Sequence, residues 1–220
     1  MNEDWKFERR RNRLVIELRE KGIVDERVLA AINRVPRHMF VDQAFHARSY
    51  NDEALPIGLK QTISQPFTVA TQSQALAPKR DERILEIGTG SGYQAAVLYE
   101  MGAKVFSIER MRALYERTNP LLKSLGYRIV TMFGDGMQGW SSMAPFDGII
   151  VTAGAQEVPE VLLQQLKLPE GMKSGGRMII PVGPREEQIM THVVRTGEST
   201  FESVELDSFR FVPLLGSTVG

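Results

Sequence analysis

Cysteine is absent from this 220-residue chain. Disulfides, thiolate metal sites and cysteine nucleophiles are therefore excluded. Neither sign of charge is in excess. The 27 Lys+Arg match the 27 Asp+Glu, so no global field draws the chain toward nucleic acid, and only a local patch would do so. No run approaches the ~18 apolar residues that a membrane span requires. Residues 1–13 are polar and charged, and no apolar signal core follows them. The expectation is a cytoplasmic protein, monomeric, without a membrane or nucleic-acid partner and without a metal site. Internal repeats and low-complexity tracts are also missing.

What is present is an ordinary globular composition, 42% hydrophobic, in a length that fits one domain. Leu14, Val15 and Leu18 recur at helical spacing up to Gly22. Asp25 is placed to cap a second helix bearing Val28, Leu29 and Ile32, which stops before Pro36. Residues 34–59 have a mixed pattern that reads as short helices and loops. Ser64 reads as an N-cap, with Pro66 in the first turn of a helix running toward Leu76.

From Arg83 the pattern alternates between strand and helix. Strands are expected at 83–87, 104–108, 128–132, 147–151 and 177–182. Helices are expected at 93–101, 111–124 and 159–166. Such alternation implies a mostly parallel sheet covered on both faces. Residues 188–195 and 201–211 read as a terminal antiparallel pair. The expected architecture is an α/β Rossmann-like sandwich, a single domain over 1–220 with residues 1–60 as a helical N-terminal extension.

The sharpest motif is Leu85-Glu86-Ile87-Gly88-Thr89-Gly90-Ser91-Gly92-Tyr93, joining a predicted strand to a predicted helix. Glycines there allow a tight turn and close approach of a ligand at the carboxyl end of the strand. A dinucleotide fingerprint would read G-x-G-x-x-G and place a pyrophosphate at the helix N-terminus. Here the third glycine position is Tyr93, which argues against NAD. Glu86 before the loop also suits a cationic ligand better than a pyrophosphate. S-adenosylmethionine carries both an ammonium and a sulfonium. Glu109 follows Gly88 by 21 residues (109 − 88) and ends the second strand, where a carboxylate accepts hydrogen bonds from ribose hydroxyls. Gly134-Asp135-Gly136 follows the third strand. It is either a plain turn or an acceptor for an adenine amino group.

Further segments accompany these: Val35-Pro36-Arg37-His38-Met39-Phe40-Val41, Ala54-Leu55-Pro56-Ile57-Gly58, Gln61-Thr62-Ile63-Ser64-Gln65-Pro66, Pro145-Phe146-Asp147, Gly175-Gly176-Arg177 and Arg210-Phe211-Val212-Pro213-Leu214. In order and content the series resembles the protein-L-isoaspartate O-methyltransferase family over about residues 30 to 215. The Ile-Ser-Gln-Pro stretch is its most specific part. The resemblance implies methyl transfer from S-adenosylmethionine to the free α-carboxylate of L-isoaspartyl residues in damaged peptides and proteins. The ester then recloses to a succinimide, whose hydrolysis returns some normal aspartate.

The resemblance also implies sites. Ser64 matches the family's catalytic serine, and Thr62, Ile63 and Ser64 match the segment between cofactor and substrate. Gln65 and Pro66 extend that segment on the substrate side, and Phe211, Val212, Pro213 and Leu214 match one lining the peptide groove. Thr62, Ser64, Glu86, Gly88, Thr89, Gly90, Ser91, Gly92, Glu109, Asp135 and Gly136 make up the cofactor set. Lys60 departs from the small or polar residue expected before this run, and Leu168 to Lys173 reads as a short insertion.

The chemistry fits. A carboxylate of pKa about 3.5 is ionised at neutral pH and needs no general base. His38, His46 and His192 lie outside these motifs and read as surface or packing residues. Catalysis then rests on orientation. Ser64 would orient the carboxylate, or else serve only as a helix cap. Residues 211–214 would pair with an extended peptide by β-augmentation, or form only an edge strand. The competing readings are a nucleic-acid methyltransferase, an NAD-dependent oxidoreductase and a non-catalytic peptide-binding module. An adenine amino-methylase would carry a Pro-Pro-aromatic loop where this chain reads Val151-Thr152-Ala153-Gly154-Ala155.

Overall fold

The computed structural model describes residues 4–220; the first three residues of the expected N-terminal extension lie outside them. Helix α1 (Asp4–Glu20) buries Leu14 and Leu18, and Gly22, at a φ of 98°, ends the turn after it. Asp25 caps α2 (Glu26–Arg34) as its position predicts, accepting the Arg27 N–H at 2.9 Å. The buried face of α2 is Val28, Leu29, Ala31 and Ile32.

Residues 34–59 do not end as loop. After 3-10 turns at Arg37–Phe40 and Gln43–Phe45, the chain forms β1 (Leu55–Gly58), which pairs antiparallel with β2 (Gln61–Ile63). Its two-residue tip, Leu59 and Lys60, has φ values of 54° and 59°. The usual Asn-Gly signal of such a turn is missing, which is why the hairpin is invisible to turn chemistry.

Helix α3 (Pro66–Leu76) then leads into β3 (Arg83–Ile87), α4 (Tyr93–Glu100), β4 (Lys104–Glu109), α5 (Arg112–Ser124) and β5 (Val130–Phe133). The chain continues through β6 (Gly148–Val151), a short α6 (Glu160–Leu163), β7 (Arg177–Val182), β8 (Gln188–Arg195) and β9 (Phe201–Phe209). Helix α6 is shorter than the expected 159–166. Residues 165–167 leave the helix to bond Phe146, through Phe146 N–H to Gln165 O and Lys167 N–H to Phe146 O. Likewise β9 stops at Phe209 and not at 211.

The main sheet has the order β5-β4-β3-β6-β7-β8-β9. Pairs from β5 through β7 are parallel; β8 and β9 are added antiparallel. This is the Rossmann-like sandwich with an antiparallel end. Alternation along each strand sends Ile84, Ile150 and Ile179 to one face, packed under α1 to α5. Leu85, Ile149, Val151, Met178 and Ile180 go to the other, covered by Leu162 of α6 and by the irregular segments carrying Phe146 and Leu166. Among the described residues no helix is long and apolar enough to cross a membrane.

Candidate active site

Strand β3 is the point where the connections reverse. The chain runs from β3 outward through β4 to β5, then returns to β3's other side as β6. Ligands of open α/β sheets bind beyond the carboxyl ends of the strands at such a point. A cavity of about 560 Å3 lies there.

The glycine loop forms its floor. Gly88 has a φ of 96°, and a Cβ there would stand 2.6 Å from Thr152 Oγ1, so no other residue fits. Gly88, Thr89, Gly90 and Ser91 line the cavity, whereas Gly92 turns inward beneath Thr118 and Leu122. The loop's N–H groups are largely committed. Those of Gly88 and Thr89 go to Ile108 O, that of Gly92 to Thr89 O, that of Tyr93 to Ser91 Oγ, and that of Gly90 to Glu109 Oε2 at 2.8 Å. A pyrophosphate would find few donors free, which counts against a dinucleotide.

Glu109 ends β4, 3% exposed, and is the one carboxylate among the described residues lining the cavity. Its Oε1 accepts the Met111 N–H at 2.9 Å, and each oxygen keeps a lone pair for a ligand hydroxyl. Gly136, just after the neighbouring strand β5, also lines the cavity.

Two acidic residues of the expected cofactor set stand back from the cavity. Glu86 is fully buried in β3, where its carboxyl is bonded by the Ser107 hydroxyl, itself 2.6 Å from that of Thr89. It supports the loop from behind. Burial pushes its carboxyl up to about 8, against the opposing hydrogen bond from Ser107. Its other oxygen, Oε1, is buried with no hydrogen-bond partner among the described residues. Asp135 caps a 3-10 turn through Met137 N–H, and its Oδ2 accepts the Ser217 N–H at 2.7 Å.

Thr62 and Ile63 of β2, and Ser64 directly after it, also line the cavity. Ser64 also lines a small cleft that opens beside it, together with Gln65, Phe211 and Val212. Pro66 lines neither; it is the first residue of α3. The expected N-cap at Ser64 is incorrect. Gln65 occupies the cap position and its side chain makes no capping bond. Asp52, 15 residues upstream, accepts the Phe67 N–H instead, at 2.7 Å. The Ser64 hydroxyl consequently has no hydrogen-bond partner among the described residues.

The segment Phe211 to Leu214 closes the cavity's mouth. Gly154 N–H donates to Val212 O at 2.8 Å, and Leu214 N–H donates to Gly154 O at 2.7 Å. One edge is therefore used within the protein. On the other edge Gln188 Oε1 takes the Phe211 N–H at 2.8 Å, and Pro213 has none to give. That edge presents carbonyls only, so it offers a peptide two acceptors and not a full ladder.

Sequence reasoning missed several lining residues. Thr152 and Ala153 follow β6 at its carboxyl end, a position that could have flagged them. Lys60, Arg185 and Arg210 bring positive charge to the rim. Lys60 marked itself as a departure and Arg210 opens the Arg210–Leu214 segment, while Arg185 gave no signal.

The lining thus combines a glycine loop, a carboxylate with spare acceptor capacity and a neutral hydroxyl. This donor set fits S-adenosylmethionine. A family model described as Protein-L-isoaspartate(D-aspartate) O-methyltransferase (PCMT) matches residues 9–219. The chain belongs to that family. A relative from Salinibacter ruber, named Protein-L-isoaspartate O-methyltransferase, is 56% identical over 223 residues, covering 100% of this chain and 97% of its own. A solved structure titled protein-L-isoaspartate O-methyltransferase is similar at a TM-score of 0.83 and 28% identity, covering 94% of this chain and 66% of the other. A second, from Plasmodium falciparum in complex with S-adenosyl-L-homocysteine, shares the fold at a TM-score of 0.78 and 23% identity, covering 93% and 98%.

Proposed function

We propose that this chain transfers a methyl group from S-adenosylmethionine to the free α-carboxylate of L-isoaspartyl residues in peptides and proteins, starting their repair. It acts as a cytoplasmic monomer without nucleic acid. Residues 1–220 work as one methyltransferase domain, with the N-terminal extension holding the acceptor side.

When bound, S-adenosylmethionine supplies a methyl already activated by the positive sulfonium. The glycine loop and Gly136 give its adenosine moiety a close-fitting bed, and Glu109 accepts its ribose hydroxyls. Glu86 and Asp135 serve by fixing Thr89 and the 3-10 turn, not by touching the ligand. Thr62 and Ile63 separate the two reactants. Ser64 donates its hydroxyl hydrogen to one carboxylate oxygen, fixing the acceptor while the other oxygen attacks. A neutral donor suits this task, because a cation would hold the carboxylate too strongly and blunt it. Gln65 and the Phe211–Leu214 segment frame the peptide. With few main-chain hydrogen bonds on offer, the groove makes little demand on the peptide's length, and the bonds it does offer are blind to the peptide's side chains.

The observation that carries this reading is that Ser64, whose hydroxyl has no hydrogen-bond partner among the described residues, lines the same cavity as Glu109 and the glycine loop. It is tested with methyl-labelled S-adenosylmethionine and two peptides that differ only in an isoaspartyl or aspartyl linkage. Base-labile label on the isoaspartyl peptide alone is expected. Label on neither peptide, with donor binding demonstrated, refutes the repair assignment.

A further inference from the structure

Arg37 is completely buried, yet it has no carboxylate within hydrogen-bond reach among the described residues. Its Nε donates to Ser49 O at 2.9 Å, and its Nη2 donates to Ser64 O at 2.9 Å and Glu53 O at 3.3 Å. The guanidinium lies over the ring of Tyr93, 4.7 Å from its centre. Arg37 lines neither the cavity nor the cleft, whereas Tyr93 and Ser64 both face the cavity. Asp52, a carboxylate whose charge acts on Arg37, is committed to the Phe67 N–H and to Lys21 Nζ at 2.6 Å.

A buried cation without an ion pair is costly, and an apolar side chain of similar volume fills a core more easily. What an apolar residue cannot do is gather three carbonyls from two separate segments and stack on an aromatic face at once. That needs a planar fork of donors. One of the three carbonyls belongs to Ser64. Three residues on, Asp52 holds the Phe67 N–H. The tetrapeptide Ser64-Gln65-Pro66-Phe67 is therefore gripped by a cation at its first carbonyl and an anion at its last N–H, while the Ser64 hydroxyl is left free. Through Tyr93 the same guanidinium abuts the residue that follows the glycine loop.

We infer that Arg37 is a positioning residue for methyl transfer: it fixes the backbone that carries Ser64 relative to the glycine loop, without touching either reactant. This rests on the proposed role of Ser64.

The test compares wild type, Arg37→Lys, Arg37→Gln, Ser64→Ala and the Ser64→Ala/Arg37→Lys double variant. Readouts are kcat and KM on an isoaspartyl peptide, the Kd for S-adenosylmethionine, and amide hydrogen exchange of residues 61–67 against 85–92. Arg37→Lys is expected to lower kcat about 10- to 100-fold, as misplacement of a reacting group does, with donor Kd changed less than about twofold. Exchange should quicken in 61–67 and not in 85–92. In the Ser64→Ala background the same substitution should have almost no further effect on kcat. Equal losses of kcat in both backgrounds, an unchanged kcat in folded Arg37→Lys and Arg37→Gln, or failure of both to fold would each overturn the inference. An inactive wild type that binds donor would instead mark failure of the functional assignment, and faster exchange in 61–67 would still report on the grip itself.

Discussion

Asp52 Oδ1 accepts the backbone N–H of Phe67 at 2.7 Å, doing from 15 residues away what the residue before a helix normally does with its own side chain. Asp52→Ala should lower stability by about 1 kcal/mol or somewhat more, from loss of the cap and of the Lys21 pair. Asp52→Asn, which keeps the acceptor but not the charge, should lose much less. Denaturant midpoints of the two variants decide this. Equal destabilisation would mean that the charge matters and the cap does not.

The same relationship makes Ser64 a clean test position. A cap serine costs about 1 kcal/mol to remove, but this hydroxyl has no hydrogen-bond partner among the described residues. Ser64→Ala should therefore change stability by less than about 0.5 kcal/mol. Loss of a hydrogen bond to a charged acceptor, about 1.5–3 kcal/mol, should slow transfer roughly 10- to 100-fold. Donor affinity should stay within about twofold. A large fall in the unfolding midpoint together with near-normal turnover would return Ser64 to a purely structural role.

The elements legible in the sequence were those whose signal is local. Periodicity in Ile84, Leu85 and Ile87 marks a strand wherever it packs, and three glycines before Tyr93 mark a strand-to-helix turn regardless of what surrounds it. The parts that stayed hidden depend on distant partners. Nothing near residue 64 reveals that Asp52 will cap α3, so Ser64 looked like its own cap. Glu86 looked like a ligand for a cation because sequence shows its charge but not its burial. The hairpin at Leu59 and Lys60 was hidden for the opposite reason: the local signal contradicts the conformation that the fold imposes.

Glu86 gives a pH dependence with a definite sign. Burial pushes its carboxyl from the ordinary 4.5 up to about 8, with the nearby Glu109 adding to the rise. Between those values the folded protein holds a proton that the unfolded chain has released. Stability from this group is therefore present at low pH and is lost as pH rises toward about 8. Glu86→Gln cannot ionise, so it should remove this slope. Thermal unfolding of both proteins from pH 5 to 8.5 should show the variant gaining on wild type as pH rises. A constant difference across that range would show that Glu86 is already ionised in the folded state.

The β1–β2 tip combines strain with a place on the cavity wall. Leu59 and Lys60 both sit at positive φ, 54° and 59°, where side-chained residues are disfavoured and where Asn-Gly is the preferred pair. Yet Lys60 lines the cavity, and Arg117 Nη2 pins the preceding strand through Ile57 O at 2.8 Å. Strain of this kind persists where the surroundings impose it, and it gathers at ligand-binding sites. Replacing Leu59→Asn and Lys60→Gly together should relieve it and raise stability by about 1 kcal/mol, read as a higher denaturant midpoint. If the lysine's charge at the rim draws in the acceptor carboxylate, the same variant should raise KM for the isoaspartyl peptide and weaken its dependence on salt, leaving kcat nearly unchanged. A gain in stability with unaltered KM would assign the tip to neither reactant, and the strain there would have no functional return.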